Sequence, residues 1–330
     1  MNSDVSAHVA YRHILVATDF SPPAEAALKQ AVWLSQKTGA KITLAHCLPN
    51  IRKLLESASY EGKKDFLYGE GSTFHHEVER DSLAKMQKLI AQTNIGSDQI
   101  RPITLLGAPH LQIATAVQSE GCDLVLAGTR GMSTWQHFLI GSTAKRLVRN
   151  CPASVWIVKG ETQSQPQRIL AATDFSDVSR KAVQESISIA NQANAELHLV
   201  HVIDSLDATE EVLSKIPNGS SLRSEVNVEA KKRFDEFVSS LNLGTRTVQQ
   251  HLSYGTPWQE IGRLTKHINA DLVVLGTIGR SGIRELLLGN TAEKVLDTCD
   301  CSILTVKPAD FVSPIIPPFK SGASETKTDA

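Results

Sequence analysis

At 330 residues, with 34 basic and 35 acidic side chains, the chain is long for one compact core and suits two of about 150 residues each. The near-neutral balance gives no bulk attraction to nucleic acid or a membrane surface, no apolar run approaches the roughly 18 residues of a spanning helix, and Met1 to Ala10 lacks the basic start and apolar centre of a signal peptide. Five cysteines, none in a CxxC pair, suit a reducing compartment, so a soluble cytoplasmic protein is expected, with neither nucleic acid nor membrane as partner.

In chain order, Ile14 to Thr18 is an apolar, partly β-branched run ending at Asp19, too short for a helix, which predicts a buried strand. Ser21 before Pro22 predicts a helix start, the hydroxyl capping a free N–H and the proline standing where its missing N–H costs nothing. Ala24, Ala27, Leu28, Ala31, Leu34 and Ser35 share one helical face, and Gly39 closes that helix. A second strand covers Ile42 to Cys47. Between Arg52 and Ser72 no period is clear, which predicts a surface excursion and a candidate lid, before a helix around Phe74 to Thr93. A short third strand near Ile103 to Leu106 leads through Gly107-x-Pro109 into a helix over His110 to Glu120. Leu124 to Ala127 is a fourth strand, Ser142 to Arg149 a helix, and Val155 to Val158 a fifth strand.

The same succession then returns. RHILVATDFS, Arg12 to Ser21, reappears as RILAATDFS, Arg168 to Ser176, with Asp19 and Asp174 lying 155 residues apart. From Gly107 and Gly255 onward the offset is 148, so seven residues separate the copies in length between His46 and Gly107. One length change in a collinear pair means a tandem repeat of one domain. Each copy carries a glycine frame: Gly128-x2-Gly131-x9-Gly141-Ser142-Thr143, and Gly276-x2-Gly279-x9-Gly289-Asn290-Thr291. Each frame follows an apolar run and precedes an amphipathic stretch, so it sets bare backbone N–H groups where a strand gives way to a helix, a phosphate cradle.

Strands apolar on both faces that alternate with helices imply a parallel sheet covered on two sides, an α/β, Rossmann-like fold. Ligands in such sheets gather beyond the carboxyl ends of the strands, and the flavodoxin-like order 3-2-1-4-5 makes Asp19 and Gly128 neighbours there. The expected organisation is two five-stranded domains, 9–160 and 168–310, joined by a linker at 161–167 and followed by a disordered tail over 311–330.

The ATDFS opening, the apolar-His-apolar end of strand two, the Gly-x-Pro before the third helix and the Gly-x2-Gly-x9-Gly-Ser frame together resemble the universal stress protein family, over about Arg12 to Lys159 and Arg168 to Lys307. The resemblance implies ATP binding: Asp19 meets the sugar and base region, Cys47 offers its backbone to adenine, and Gly128, Gly131, Gly141, Ser142 and Thr143 hold the phosphates. The second set is Asp174, Val202, Gly276, Gly279 and Gly289. There Asn290 stands where phosphate-binding members have Ser or Thr, with Thr291 beside it to compensate and Arg280 as a phosphate partner. The first spacer, MSTWQHFLI, is heavier, with Trp135 and His137 close to the phosphate path. Whether one, both or neither domain holds ATP, with or without Mg2+, stays open at this point. Single-domain relatives pair through the last strand, so Val155 to Val158 and Ile303 to Val306 are expected to pair within the chain about a pseudo-two-fold axis, in a core that could dimerise again.

Each of these residues also has a plainer role. The glycines could serve only close helix-to-sheet approach, and Asp19 and Asp174 could brace the following loop. His46 and His201 suit satisfied histidines at apolar strand ends, Ser21 and Ser176 suit helix caps, and Cys299 and Cys301 suit structural thiols. Adjacent His75 and His76 point about 100° apart on a helix and cannot share a metal. Neither GxxxxGK[ST] nor GxGxxG after the first strand is present, and no acidic pair is placed to hold magnesium, so an enzyme is not expected. The function classes left are an ATP-binding regulator of stress physiology, a nucleotide-free scaffold of the same fold and, more weakly, a slow nucleotide hydrolase.

Overall fold

A computed structural model of the protein describes residues 11–50, 70–129, 140–160, 165–204, 219–279 and 288–315. The first half runs β1 (His13–Thr18), α1 (Pro22–Thr38), β2 (Lys41–Leu48), α2 (Glu70–Ala91), β3 (Ile100–Leu106), α3 (Pro109–Glu120), β4 (Leu124–Gly128), α4 (Ser142–Asn150) and β5 (Ser154–Val158). The second runs β6 (Arg168–Ala172), α5 (Asp177–Ala193), β7 (Glu196–Ile203), α6 (Gly219–Ser239), β8 (Gln249–Tyr254), α7 (Pro257–His267), β9 (Leu272–Gly276), α8 (Asn290–Thr298) and β10 (Ser302–Val306). The third strand begins earlier than its apolar run because its backbone pairs with β2 from Ile100 onward, through the polar Arg101 and Pro102.

All ten strands form one sheet, in the order β3-β2-β1-β4-β5-β10-β9-β6-β7-β8. Each half keeps the parallel order 3-2-1-4-5, and the halves meet through antiparallel β5 and β10, with Trp156 opposite Leu304. The sheet is therefore mixed at its centre and continuous across the chain. Successive strand residues face opposite sides: Ile14 and Val16 join a core with α1, α2, α5 and α6, while Leu15 joins one with α3, α4, α7 and α8. Both β5 and β10 are buried along their whole length, as strands covered on two faces must be.

Reciprocal contacts lock the seam. Lys159, just after β5, reaches the carbonyl oxygens of Leu296 (2.9 Å) and Cys299 at the end of α8, and Lys307, just after β10, reaches that of Arg149 (2.9 Å) at the end of α4. A cation at a helix C-terminus satisfies carbonyls that the helix itself leaves unpaired. Salt bridges Lys145–Asp297 (2.7 Å) and Arg149–Glu293 join α4 to α8.

One local expectation is corrected. Ser21 occupies the cap position of α1 but its hydroxyl makes no capping bond; Pro23, at the second helical position, removes one of the two N–H groups that a cap serves. Ser176 does cap α5, accepting from the Ser179 N–H at 3.2 Å. At the other end of the chain, Ser313 donates to the Asn150 carbonyl at 2.7 Å, so the start of the expected tail lies against the first half. Residues 316–330, like 51–69 of the expected excursion and 161–164 of the linker, lie outside the described residues.

Candidate functional site

The carboxyl ends of β1 and β6 carry the same tight turn. After Thr18 and Thr173 the chain places Phe20 (φ 65°) and Phe175 (φ 66°) in the left-handed region, which a bulky side chain enters only when its surroundings impose it. Those surroundings are visible in both copies. Phe20 N–H donates to Thr18 Oγ1 (3.1 Å) and Ser21 N–H to Asp19 Oδ1 (3.1 Å); Phe175 N–H donates to Thr173 Oγ1 (3.0 Å) and Ser176 N–H to Asp174 Oδ1 (3.1 Å). Each phenylalanine ring then lies on a histidine at the end of the neighbouring strand, His46 at 4.5 Å and His201 at 4.1 Å between centroids. The histidines bond through Nδ1 to the carbonyls of Thr18 (2.7 Å) and Thr173 (2.8 Å). A carbonyl only accepts, so Nδ1 carries the hydrogen. Each Asp thus braces, through Oδ1, a turn whose left-handed phenylalanine the surrounding contacts hold in place.

At the ends of β4 and β9 the glycines serve different ends. A Cβ on Gly128 would stand 2.6 Å from the Pro23 carbonyl carbon and 2.8 Å from the Ala24 nitrogen, so this glycine lets the start of α1 lie against β4. One on Gly276 would meet Val178 Cγ1 at 2.9 Å, the corresponding approach of α5. Gly279 differs: its Cβ would lie 2.6 Å from Asp174 Oδ2, and among the described residues it meets Asp174 alone. The strand-six aspartate and the strand-nine loop therefore converge, as the strand order requires.

The far end of each frame is tied back. Gly141 N–H donates to the Thr129 carbonyl and Gly289 N–H to the Thr277 carbonyl, both at 2.7 Å. These glycines are the N-caps of α4 and α8 and, lacking side chains, make no side-chain capping bond. Ser142 and Thr143, and Asn290 and Thr291, form the first helical positions, Ser142 and Asn290 being exposed. A helix start with uncapped N–H groups favours an anion, and a carboxylate accepts from hydroxyls, so each half presents complementary ends to an anionic, hydroxylated ligand. Gly131 and Arg280, with the spacer residues Trp135 and His137, lie outside the described residues.

Cys47 and Val202 stand half-buried at the ends of β2 and β7. Burial pushes the Cys47 thiol up to about 12, so it behaves as an apolar wall rather than a nucleophile. Gly107 (φ 127°) and Gly255 (φ 139°) close the same edge, donating to the carbonyls of Leu48 (2.8 Å) and Ile203 (3.1 Å). The tilted Phe–His contacts were not anticipated from the sequence; the signal available was an aromatic residue after each Asp, paired with a histidine at the end of each second strand.

The family model described as the universal stress protein family matches residues 10–159 and again 166–307. The chain belongs to this family. Universal stress protein E of Escherichia coli (strain K12) is 27% identical over 323 residues, covering 92% of this chain and 96% of that protein. A universal stress protein E homolog of Haemophilus influenzae is 28% identical over 316 residues, covering 91% and 98%. The similarity to these universal stress proteins thus runs through both domains. Among solved structures, a functionally unknown protein from Pseudomonas aeruginosa PAO1 shares the fold at a TM-score of 0.61 and 20% identity, over 91% of this chain and 94% of that one. A universal stress protein from Archaeoglobus fulgidus DSM 4304 does so at 0.56 and 21%, over 89% and 98%.

Proposed function

We propose that this universal stress protein is a nucleotide-binding regulator that holds ATP beyond the carboxyl ends of β6 and β9, and in the equivalent place beyond β1 and β4, with no turnover or very slow turnover. The observation that carries the reading is the approach of Gly279 to Asp174. Packing accounts for Gly128 and Gly276, but among the described residues the space that a side chain at Gly279 would take borders only a carboxylate, which suits a loop kept low for a ligand. In this arrangement Asp174 accepts from the ribose hydroxyls, the backbone near Val202 meets the base, and the start of α8 receives phosphate. Among the described residues no group of three His, Cys, Asp or Glu side chains is placed to hold a metal, so Mg2+ would enter with the phosphates. Low turnover fits the side chains present: His46 and His201 are engaged through Nδ1, and Cys47 titrates far above neutrality.

A specific observation favours a second reading, that of a nucleotide-free scaffold. The tight contacts at Gly128 and Gly276, and the turn bonds accepted by Asp19 and Asp174, give those residues structural work without any ligand. Denaturing the purified protein after incubation with ATP and desalting, then chromatographing the supernatant, separates the two. Stoichiometric ATP is expected under the regulator reading; its absence supports the scaffold.

A further inference from the structure

The sheet ends in two edge strands, β3 and β8, and their free edges differ. In a parallel pair, alternate residues of the outer strand turn both N–H and C=O away from the partner, and the register decides which. Tyr254 pairs with Ile203 while the Gly255 N–H bonds the Ile203 carbonyl at 3.1 Å, so the outward groups of β8 belong to Gln250, Leu252 and Tyr254. Leu106 pairs with Leu48 while the Gly107 N–H bonds the Leu48 carbonyl at 2.8 Å, so those of β3 belong to Ile100, Pro102, Thr104 and Leu106.

Pro102 has no N–H, and its ring carbon replaces that hydrogen on the side an incoming strand would occupy. Arg101 beside it carries a charge that pairs with Glu120. Proline and charge are two ways in which an exposed edge is closed. Leu48 and Ile203 are equivalent, as are Leu106 and Tyr254, so Gln250 stands where β3 has Pro102 and Gln249 where it has Arg101. The strand QQHLSY holds no proline, Lys, Arg, Asp or Glu, and its outward row is complete. His251 brings little charge at neutral pH, since burial and the neighbouring His198 and His267 lower its pKa. Among the described residues no strand pairs with the outer side of β8, and Tyr254 is 43% exposed there.

We propose that β8 pairs antiparallel with β8 of a second copy of this chain, so that the sheet continues across a two-fold axis at Leu252. Leu252 then faces its own copy and Tyr254 faces Gln250 of the other chain. Each such pair exchanges both N–H···O bonds, as alternate pairs of an antiparallel ladder do. A second copy suits this edge because the row is its own complement under a two-fold rotation and sets no charge against itself. The chain already joins its own halves in this manner, through antiparallel β5 and β10 in the same sheet. Pro102 closes the opposite edge, so the assembly stops at two copies instead of growing into a fibre. One strip of strand buries little area, which sets the affinity in the micromolar range.

Sedimentation velocity of the full chain from about 1 to 100 µM, with hydrogen exchange read by mass spectrometry over residues 249–254, tests this. A monomer–dimer equilibrium is expected, in which exchange over 249–254 slows as concentration rises. Q250P, which gives β8 the residue that β3 carries, should weaken the dimer about tenfold or more. Q250K/Y254K sets lysine against lysine at two exposed positions, should weaken it as much, and decides the matter if Q250P does not fold. A monomer throughout that range, a dimer of unchanged affinity in Q250K/Y254K, or a dimer that leaves exchange over 249–254 unaltered would overturn the proposal. So would slow exchange there at every concentration, which would put another part of the same chain on this edge.

Discussion

Gly128 and Gly279 belong to the same repeated frame, yet they need to lack a side chain for different reasons, and substitution separates these. G128A drives a methyl group into the backbone of Pro23 and Ala24, which cannot retreat without moving α1, so a loss of about 2 kcal/mol in urea unfolding is expected. Among the described residues G279A meets only the end of the Asp174 side chain, which can rotate away, so its stability should change by less than about 1 kcal/mol while nucleotide binding falls. Lys307 gives a second prediction at this scale. Burial lowers its pKa from 10.5 to about 7, although its ammonium bonds the Arg149 carbonyl and lies 4.0 Å from the Phe311 ring. The unfolded chain therefore binds more protons between those two values, and folding stability rises with pH across that window. Chemical denaturation from pH 7 to 10 should show the wild type gaining stability relative to K307M; parallel profiles would show that Lys307 titrates normally.

Helices α4 and α8 are equivalent elements with opposite charges at equivalent positions. Lys145 corresponds to Glu293 and Arg149 to Asp297, and the seam crosses them as Lys145–Asp297 and Arg149–Glu293. Pairing two first halves would set basic against basic, and two second halves acidic against acidic, so these helices favour union of unlike halves. Such half-exposed pairs are each worth at most about 1 kcal/mol. The double variant K145E/R149E should therefore lose about 1–2 kcal/mol in thermal unfolding, and adding E293K/D297R should restore most of it; a quadruple variant no better than the double would show the charges to be incidental. The elements themselves were legible from apolar runs and punctuation, because periodicity reports burial directly, and β1, β4 and β5 begin and end within a residue of those runs. The capping bond at Ser21 was not, because a serine before a helix signals the position and not whether its hydroxyl finds an N–H beyond two prolines.

At the scale of the molecule, the repeat read from the sequence becomes one ten-stranded sheet, in which the antiparallel β5–β10 seam makes two domains a single body. The strand order and the convergence of the strand-six aspartate on the glycine loop followed from the alternation of elements and the doubled motifs, and the pairing through the last strands from the family resemblance. What did not follow was the cause of each glycine, since one repeated frame serves helix packing at Gly128 and Gly276 and a close approach to a carboxylate at Gly279. The most direct measurement of the functional account is native mass spectrometry of the intact chain with saturating ATP, comparing the wild type with G279V. The account predicts bound nucleotide in the wild type and one fewer per chain in a folded G279V; no bound nucleotide in the wild type, or the same number in both, would contradict it.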